Sequence, residues 1–221
     1  RAQVRVAAFA SAAAGLLPSA TRELRGRRPD AELTLQVLDE EPALDALQAG
    51  RVDVATIVQS PLAPSTPRDG VEYIPISDDE MRIAVAADHP LATKTSVTLE
   101  ELCDEPWLIA ETTGTCADSN VVYNAFRDAG YQPNVRFQSD DYQALQGMAA
   151  SGIGVAMIPT MALVSSRSDV VVLPVRGAAP ARRVLAAVRS GEENPLVDHM
   201  VESLRAASRT LAGRPALSVV A

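Results

Sequence analysis

Apolar residues recur along the chain in two patterns, one typical of helices and one typical of buried strands. In the stretch LDALQAGRVDVATIV (residues 44–58), leucine and alanine at helical spacing are followed by a glycine and then by a mostly apolar run. The stretch LQGMAASGIGVAMIP (residues 145–159) has the same order, with Gly152 in the place of Gly50. The pattern predicts the end of an amphipathic helix, a tight turn and a buried strand, and it predicts that this unit occurs twice.

Each repeat closes a longer series of alternating strands and helices. The first series runs from the strand QVRVAAF through a helix that Pro18 opens, the strand LTLQVL and a second helix to VDVATIV. The second runs from PWLIA through a helix over residues 118–129, the strand NVRFQS and another helix to GVAMIP. A final amphipathic helix is predicted over residues 195–211. Because both series are β-α-β-α-β, we predict two α/β lobes with parallel sheets.

The connections between the two lobes predict a hinge and a ligand cleft. The chain has to cross between the lobes at least twice, and the pattern places these crossings at residues 77–80 and 161–170. The first crossing is predicted to be a charged loop over residues 78–80. In open α/β sheets, ligands bind beyond the carboxyl ends of the strands. Ser11 follows the first strand in this way, and residues 112–115 follow WLIA.

Composition and charge narrow the function classes. The 221 residues contain 20 Lys and Arg against 28 Asp and Glu, a net charge of −8, and no basic face is evident that would attract a phosphate backbone. No apolar run approaches the roughly 18 residues that span a bilayer, and the N-terminal QVRVAAF is interpreted as a strand rather than as part of a signal peptide. Two cysteines, Cys103 and Cys116, fit a reducing compartment. We therefore expect a cytoplasmic protein without membrane association.

Catalytic and metal-binding patterns are missing from the sequence. The two histidines, His89 and His199, have no neighbours at zinc-ligand spacing, and no Gly-x-Ser-x-Gly motif is present. The segment GIGVAM precedes a predicted strand, whereas a dinucleotide-binding glycine motif follows a strand and opens a helix. We expect neither an enzyme nor a bound cofactor or metal.

Four landmarks occur in an order that resembles the LysR-type transcriptional regulators. They are LQAGRVDVA, RIAVAADHPLA, TLEELCDEPWLIA and MAASGIGVAMIP, followed by an RRVLAAVR strand and a C-terminal helix. Together they cover nearly the whole chain and resemble the effector-binding part of that family. The resemblance implies a type 2 periplasmic-binding-protein-like fold. In that fold, two Rossmann-like lobes joined by a two-segment hinge hold a small-molecule effector in the cleft between them.

The resemblance also implies a division into domains and a set of partners. Residues 1–79 and 164–221 would form lobe I, and residues 80–163 would form lobe II. The family implies a homo-oligomer, as a dimer of this domain and as either a dimer or a tetramer at full length. It also implies DNA binding through an N-terminal winged helix-turn-helix. That segment is absent from the 221 residues, so we expect them to be a piece of a longer regulator.

The family pattern places effector contacts at seven positions, namely Ser11, Glu40, Val58, Gln59, Glu111, Thr112 and Thr113. Members that take carboxylates often have an arginine near the cleft, and none stands at these positions. Glu40 and Glu111 would instead raise the free-energy cost of holding an anion. Two interpretations stay open. Glu40 and its neighbour Glu41 face solvent as helix N-terminal charges, or the effector carries an amine or is neutral.

Two alternative functions follow from the same features. The first is a thiol-based redox sensor that uses Cys116. This residue stands at a predicted helix N-terminus, which favours the thiolate form. The resemblance extends to peroxide-sensing members of the family, which have a reactive thiol in this region. Those members carry a second cysteine downstream, whereas Cys103 lies upstream. The other alternative is a free-standing solute-binding protein of a transporter, which has the same fold.

Overall fold

The computed structural model describes residues 3–60, 67–110 and 117–212. In chain order, the strands and helices are β1 (Gln3–Ala8), α1 (Ala10–Gly15), α2 (Leu17–Arg27), β2 (Glu32–Val37), α3 (Glu40–Gln48), β3 (Val54–Gln59), β4 (Val71–Ala86), β5 (Pro106–Ile109), α4 (Ala117–Asp128), β6 (Asn134–Gln138), α5 (Tyr142–Ala150), β7 (Val155–Pro159), β8 (Val170–Pro174), β9 (Ala181–Arg189) and α6 (Pro195–Ala212). Short 3-10 helices cover Pro90–Thr93, Glu100–Leu102 and Thr160–Leu163.

The chain folds into two compact units. Among the described residues, the first unit contains residues 3–59, 67–78 and 183–212. The second contains Ser60 with residues 79–110 and 117–182. The two α/β lobes predicted from the alternation of strands and helices are therefore present, and each contains both strands and helices.

The first unit is built on a sheet in the order β2-β1-β3-β9. β1 pairs in parallel with β2 and with β3, and β9 pairs antiparallel with β3. Leu44 and Leu47 of α3 belong to one buried cluster with Ala55 and Ile57 of β3, so α3 covers one face. Helices α2 and α6 pack against each other, and α6 also contacts β1 and β3. The apolar faces predicted for these helices thus form the core of the unit.

The second unit repeats the central arrangement of the first. β5 pairs in parallel with β6 and β7, so the order β6-β5-β7 matches β2-β1-β3. β4 then pairs antiparallel with both β7 and β8. Trp107 and Leu108 are consecutive in β5 and belong to different buried clusters, because successive side chains of a strand point to opposite faces. The duplication predicted from the sequence is confirmed.

Two glycines make the turn from helix to strand in the repeated unit. Gly50 follows the C-cap residue of α3 and has a φ of 67°. Gly152 follows the C-cap residue of α5 and has a φ of 77°. A residue with a Cβ is strained in this left-handed region, whereas glycine adopts it at little cost. The turn predicted at each glycine is confirmed.

The first passage between the units lies inside a strand. β4 is continuous from Val71 to Ala86, and the boundary between the units falls between Asp78 and Asp79. The prediction of a charged loop at residues 78–80 is therefore wrong. Its physical reason is that Asp79 has a buried partner, Arg182, so that a carboxylate is tolerated within the sheet.

The return passage differs from the predicted one in position. It lies in β9, between Arg182 and Arg183, instead of in residues 161–170. β8 pairs with residues 82–86 of β4, and this pairing assigns residues 164–182 to the second unit rather than to the unit that contains the N-terminus. The apolar run VVVLP predicts a strand, but an apolar run does not specify the neighbour with which the strand pairs.

Candidate functional site

The carboxyl ends of β1, β2 and β3 meet at one edge of the first unit. Ala8 is level with Val37 in the pairing of β1 and β2, and the Leu38 N–H donates to the Ala8 carbonyl oxygen at 3.0 Å. Ala7 is level with Ala55 on the other side, so β3 extends past the end of β1. The chain leaves β1 towards β2, while β3 lies on the opposite side of β1. Such a switch point is where open α/β sheets bind ligands.

Four predicted effector positions follow or end these three strands, and we call them the carboxyl edge of the first unit. They are Ser11, Glu40, Val58 and Gln59. The parallel pairing of β1 with β2 and β3 brings them to the same end of the strands, although they span almost 50 residues of sequence. Their contact with an effector stays a prediction.

Ser11 lies in the first turn of α1, directly after β1. Phe9 precedes the helix in an extended conformation, and its carbonyl oxygen accepts a hydrogen bond from the Ala13 N–H at 2.9 Å. Ser11 is only 7 % exposed. Its hydroxyl is therefore placed by the fold at the end of the central parallel strand. A serine hydroxyl both donates and accepts hydrogen bonds, so it suits either polarity of ligand group.

Val58 and Gln59 end β3 on opposite faces of the strand. Val58 is level with Val184 of β9 and is 9 % exposed, and Gln59 is partly exposed. Thr56 shares the face of Val58, and its hydroxyl is buried without a hydrogen-bond partner among the described residues. Sequence analysis missed Thr56 because it stands inside an apolar run, where a hydroxyl gives no separate signal.

The two acids at the start of α3 have different surroundings. Glu41 forms an ion pair with Arg68, and Asp45 lies 2.6 Å from the same guanidinium. Hydrogen bonding to Asp45, reinforced by Glu41, raises the pKa of Arg68 above its ordinary value despite partial burial. Glu40 is partly buried, whereas Glu41 is exposed. The charge of Glu41 is thus balanced within the unit, so the two neighbouring acids are not equivalent.

A cluster of buried charge lies towards the amino ends of the same strands. The Asp53 carboxylate accepts hydrogen bonds from the Arg5 guanidinium at 2.6 and 3.0 Å and from Arg189 at 3.1 Å. Burial raises the pKa of Asp53, but the hydrogen bonds from both arginines outweigh it and hold the pKa below its usual value. Glu192 also lies 2.5 Å from the Arg189 guanidinium, so the cluster contains two acids and two arginines. It joins residues of β1 and β9 to Asp53, directly before β3, and we assign it a structural role. The sequence analysis did not identify it.

The remaining predicted positions, Glu111, Thr112, Thr113 and Cys116, lie outside the described residues. They directly follow β5, which ends at Ile109 and is the counterpart of β1. Their place in the sequence therefore corresponds to that of Ser11 after β1. Their roles, including that of Cys116 as a redox-active thiol, stay predictions.

The described residues offer no obvious metal centre. Within residues 3–60, 67–110 and 117–212, no group of three or more His, Cys, Asp or Glu side chains could hold a metal ion. The His89 ring has a structural role, because its Nδ1 accepts the Leu91 N–H at 3.2 Å and its Nε2 lies 3.5 Å from Glu105. None of the helices in this part of the chain is long and apolar enough to cross a membrane.

The sequence matches one protein-family model and several curated transcriptional regulators. A family model described as the LysR substrate binding domain matches residues 1–209. The HTH-type transcriptional regulator MetR of Escherichia coli (strain K12) is 33 % identical over 169 residues, which are 76 % of this chain and 50 % of MetR. The chain thus spans about half the length of the curated relatives it matches.

Solved structures show the same fold. The effector binding domain of BenM, with its effector benzoate, superimposes with a TM-score of 0.83 at 21 % identity, over 96 % of this chain and 95 % of that one. The reduced OxyR regulatory domain from Pseudomonas aeruginosa gives a TM-score of 0.80 at 24 % identity, over 96 % and 98 % of the two chains. These similarities confirm the predicted fold class, α/β of the type 2 periplasmic-binding-protein-like kind.

Proposed function

The chain belongs to the LysR substrate binding domain family, and from this membership we propose that it is the effector-sensing part of a transcriptional regulator. In this proposal, a small molecule binds the chain and shifts the populations of its conformations. A ligand shifts such populations only by binding one conformation more tightly than another. DNA is bound by a helix-turn-helix in a part of the protein outside these 221 residues.

We place the effector at the carboxyl edge of the first unit. The observation that carries this assignment is the switch point at β1, which has β2 on one side and β3 on the other. There the buried Ser11 and the end of β3 lie at the carboxyl end of the strands. Val58 provides an apolar contact there, and Gln59 provides an amide that can donate and accept. Glu111, Thr112 and Thr113 are proposed to complete the site.

The charge of the carboxyl edge favours an effector that carries an amine or is neutral. Arg68, an arginine near the start of α3, is already bound by Glu41 and Asp45 and also donates to Gln48 at 3.0 Å. It is therefore poorly suited to hold an additional carboxylate. Benzoate, the effector in the BenM structure, is an anion, and we do not transfer that specificity to this chain.

We further propose a cytoplasmic, non-enzymatic protein that assembles with copies of itself. The relatives are named HTH-type transcriptional regulators, and this supports the proposal. Homodimerisation of this domain, with a dimer or tetramer at full length, is the corresponding proposal for assembly. Family membership speaks against the alternative of a free-standing solute-binding protein.

A thermal-shift screen of the 221-residue chain tests the proposed function. The panel contains amines, amino acids, carboxylates and neutral aromatics. A ligand at about 100 times its Kd adds roughly 2.7 kcal/mol to the free energy of unfolding, enough for a shift of a few degrees. We expect at least one amine or neutral compound to raise Tm in a saturable manner, and no compound doing so would contradict the proposal.

Variants of two buried serines locate the binding of any such compound. Ser11→Leu places a larger apolar side chain directly after β1 and should remove the ligand-induced shift in Tm. Ser203→Ala is the control, because Ser203 is also buried in the first unit but its hydroxyl bonds to the His199 carbonyl within α6. A shift that survives Ser11→Leu would move the effector away from the carboxyl edge.

A further inference from the structure

The second unit contains a cavity of ≈ 530 Å³. It lies between α4, the segment that leads into the 3-10 helix Glu100–Leu102, and the loop from β8 to β9. Its volume falls within the roughly 300–1,000 Å³ that is typical of small-molecule sites. Ser60 lines it and belongs to the second unit, whereas Ser11, Glu40, Val58 and Gln59 do not line it. It is therefore a different site from the carboxyl edge of the first unit.

The floor of the cavity is apolar and firmly packed. Leu99, Val121 and Ala125 line it, and they are 7, 6 and 9 % exposed. All three belong to the buried cluster that includes Trp107 and Phe126. Their rear surfaces are therefore held by the core, while their outer atoms face the cavity. An apolar group could cover these atoms without displacing a core side chain, and burial of that surface would favour binding.

The charged rim of the cavity is negative overall. Glu100, Asp128 and Arg176 line it. The Arg176 guanidinium lies 4.0 Å from the Glu101 carboxylate, which is not part of the lining, so its charge is partly balanced there. A backbone hydrogen bond and a hydrogen bond with Thr98 hold the pKa of Glu100 below its ordinary value. Glu100 is consequently ionised at neutral pH.

Helix α4 places a second carboxylate and an amide on the opposite wall. Asp128 lies 3.4 Å from Arg127, but both side chains are 67 % exposed, and an ion pair of this kind is weak. Asn124, one turn before Asp128, lines the cavity and is partly buried. Its amide oxygen can accept a hydrogen bond from an ammonium group. The acceptors thus lie on both sides of the apolar floor.

We propose that this cavity binds a small organic cation, with an apolar body on the floor and an ammonium group at the rim. Glu100 and Asp128 supply the opposite charge, and Asn124 supplies a neutral acceptor. The site lies wholly in residues of the second unit, so it stands independently of the proposed effector function.

Titration with a matched set of phenyl compounds tests this proposal on the 221-residue chain. Trp107 is the single tryptophan, and its ring packs edge-on against Phe126 of α4 at 4.6 Å, so its fluorescence is sensitive to changes at α4. Phenethylamine should change the fluorescence in a saturable manner. Its Kd, measured by calorimetry, should be at least tenfold lower than those of 3-phenylpropionate and 2-phenylethanol.

Three variants locate the bound amine. Ala178→Phe fills the cavity from an exposed loop position and should weaken binding at least tenfold. Glu100→Gln keeps the shape of the side chain and should weaken binding three- to tenfold. Glu193→Gln changes an exposed acid of the first unit that does not line the cavity, and it should leave the Kd of phenethylamine unchanged.

Several results would overturn the proposal. One is the absence of saturable phenethylamine binding, and another is equally tight binding of the anion. A third is unchanged binding in folded Ala178→Phe and Glu100→Gln proteins, with native circular dichroism. Equal weakening by Glu193→Gln and Glu100→Gln would attribute the effect to the overall charge of the chain and would equally reject the cavity.

Discussion

The Asp79 carboxylate accepts hydrogen bonds from the Arg182 guanidinium at 2.8 and 3.0 Å, with both side chains at most 2 % exposed. Its other oxygen accepts the Met161 N–H at 3.1 Å. The two residues stand in β4 and β9, the strands in which the chain passes from one unit to the other. One buried ion pair therefore fixes both passages to the second unit.

Breaking this pair should be costly. Asp79→Asn leaves the Arg182 charge buried without its counter-charge, and removing one partner of such a pair costs about 3–5 kcal/mol. The double variant Asp79→Leu/Arg182→Met should recover a large part of that loss, since apolar replacements of buried ion pairs are often tolerated. Urea unfolding of the single and double variants measures both values.

The neighbouring pair on the same strands is a matched control. Asp78 and Arg183 lie one residue away and 3.5 Å apart, but their side chains are 64 and 51 % exposed. Asp78→Asn should change the free energy of unfolding by less than about 1 kcal/mol. Equal effects of Asp78→Asn and Asp79→Asn would mean that burial does not explain the contribution of the pair of Asp79 and Arg182 to stability.

Gly154 should resist substitution more than any exposed helical glycine. An alanine Cβ at this position would lie 2.3 Å from the carbonyl oxygen of Pro106, so β5 and β7 would have to separate. We expect Gly154→Ala to lower the stability by about 1–3 kcal/mol. Gly147→Ala in α5 meets nothing within 4 Å and should raise stability by about 0.5–1 kcal/mol. Thermal unfolding measures both effects, with a lower Tm expected for Gly154→Ala and a higher Tm expected for Gly147→Ala.

Acid should weaken the first unit partly through Asp53. Its pKa is lowered in the folded state by Arg5 and Arg189. The unfolded state therefore binds more protons, so this contribution to stability is present above about pH 4 and is lost as the pH falls through the lower folded pKa. Asp53→Asn should reduce stability at pH 7 and flatten the decline between about pH 5 and pH 2.

An exposed aspartate provides the comparison for that pH dependence. Asp104→Asn removes a carboxylate that is solvent-exposed. Urea unfolding at a series of pH values compares both variants with the unchanged chain. The account of Asp53 fails if the curve of Asp53→Asn runs parallel to that of the unchanged chain.

The two acids of α3 should differ in their effect on ligand binding. Glu40→Gln should weaken the binding of an amine effector several-fold, because it removes the carboxylate proposed to face the ligand. Glu41→Gln should have little effect, since Glu41 is paired with Arg68 outside the proposed contact. Calorimetric titration of both variants decides the matter, and unchanged affinity in Glu40→Gln would favour the interpretation that Glu40 faces solvent.

Local patterns in the sequence predicted much of the fold. The helix, glycine and strand around Gly50 and Gly152 were predictable because amphipathic spacing and a left-handed turn are local properties. The same holds for the place of Ser11 after β1, which follows from the order of strand and helix. The family resemblance added the expectation that this edge is the effector site.

Long-range pairing is what the sequence could not provide. β8 pairs with β4 across more than 80 residues, and the apolar character of both strands suits several neighbours equally well. Asp79 and Arg182 are 103 residues apart, so nothing near Asp79 indicates that its charge is buried and paired. Likewise, Arg68 is 27 residues from Glu41 in sequence and forms an ion pair with it. The sequence alone therefore gives no sign that Glu40 and Glu41 have different surroundings.

Hydrogen exchange with and without the compound found in the thermal-shift screen tests the central claim most directly. If the effector binds the carboxyl edge of the first unit, amide protection should increase in residues 9–13, 38–41 and 57–59. Amide protection in all three segments should rise over the same range of compound concentration, because the segments lie at the same end of the strands. Protection that leaves all three unchanged and appears only elsewhere, such as at residues 97–100 and 121–129, would contradict the assignment.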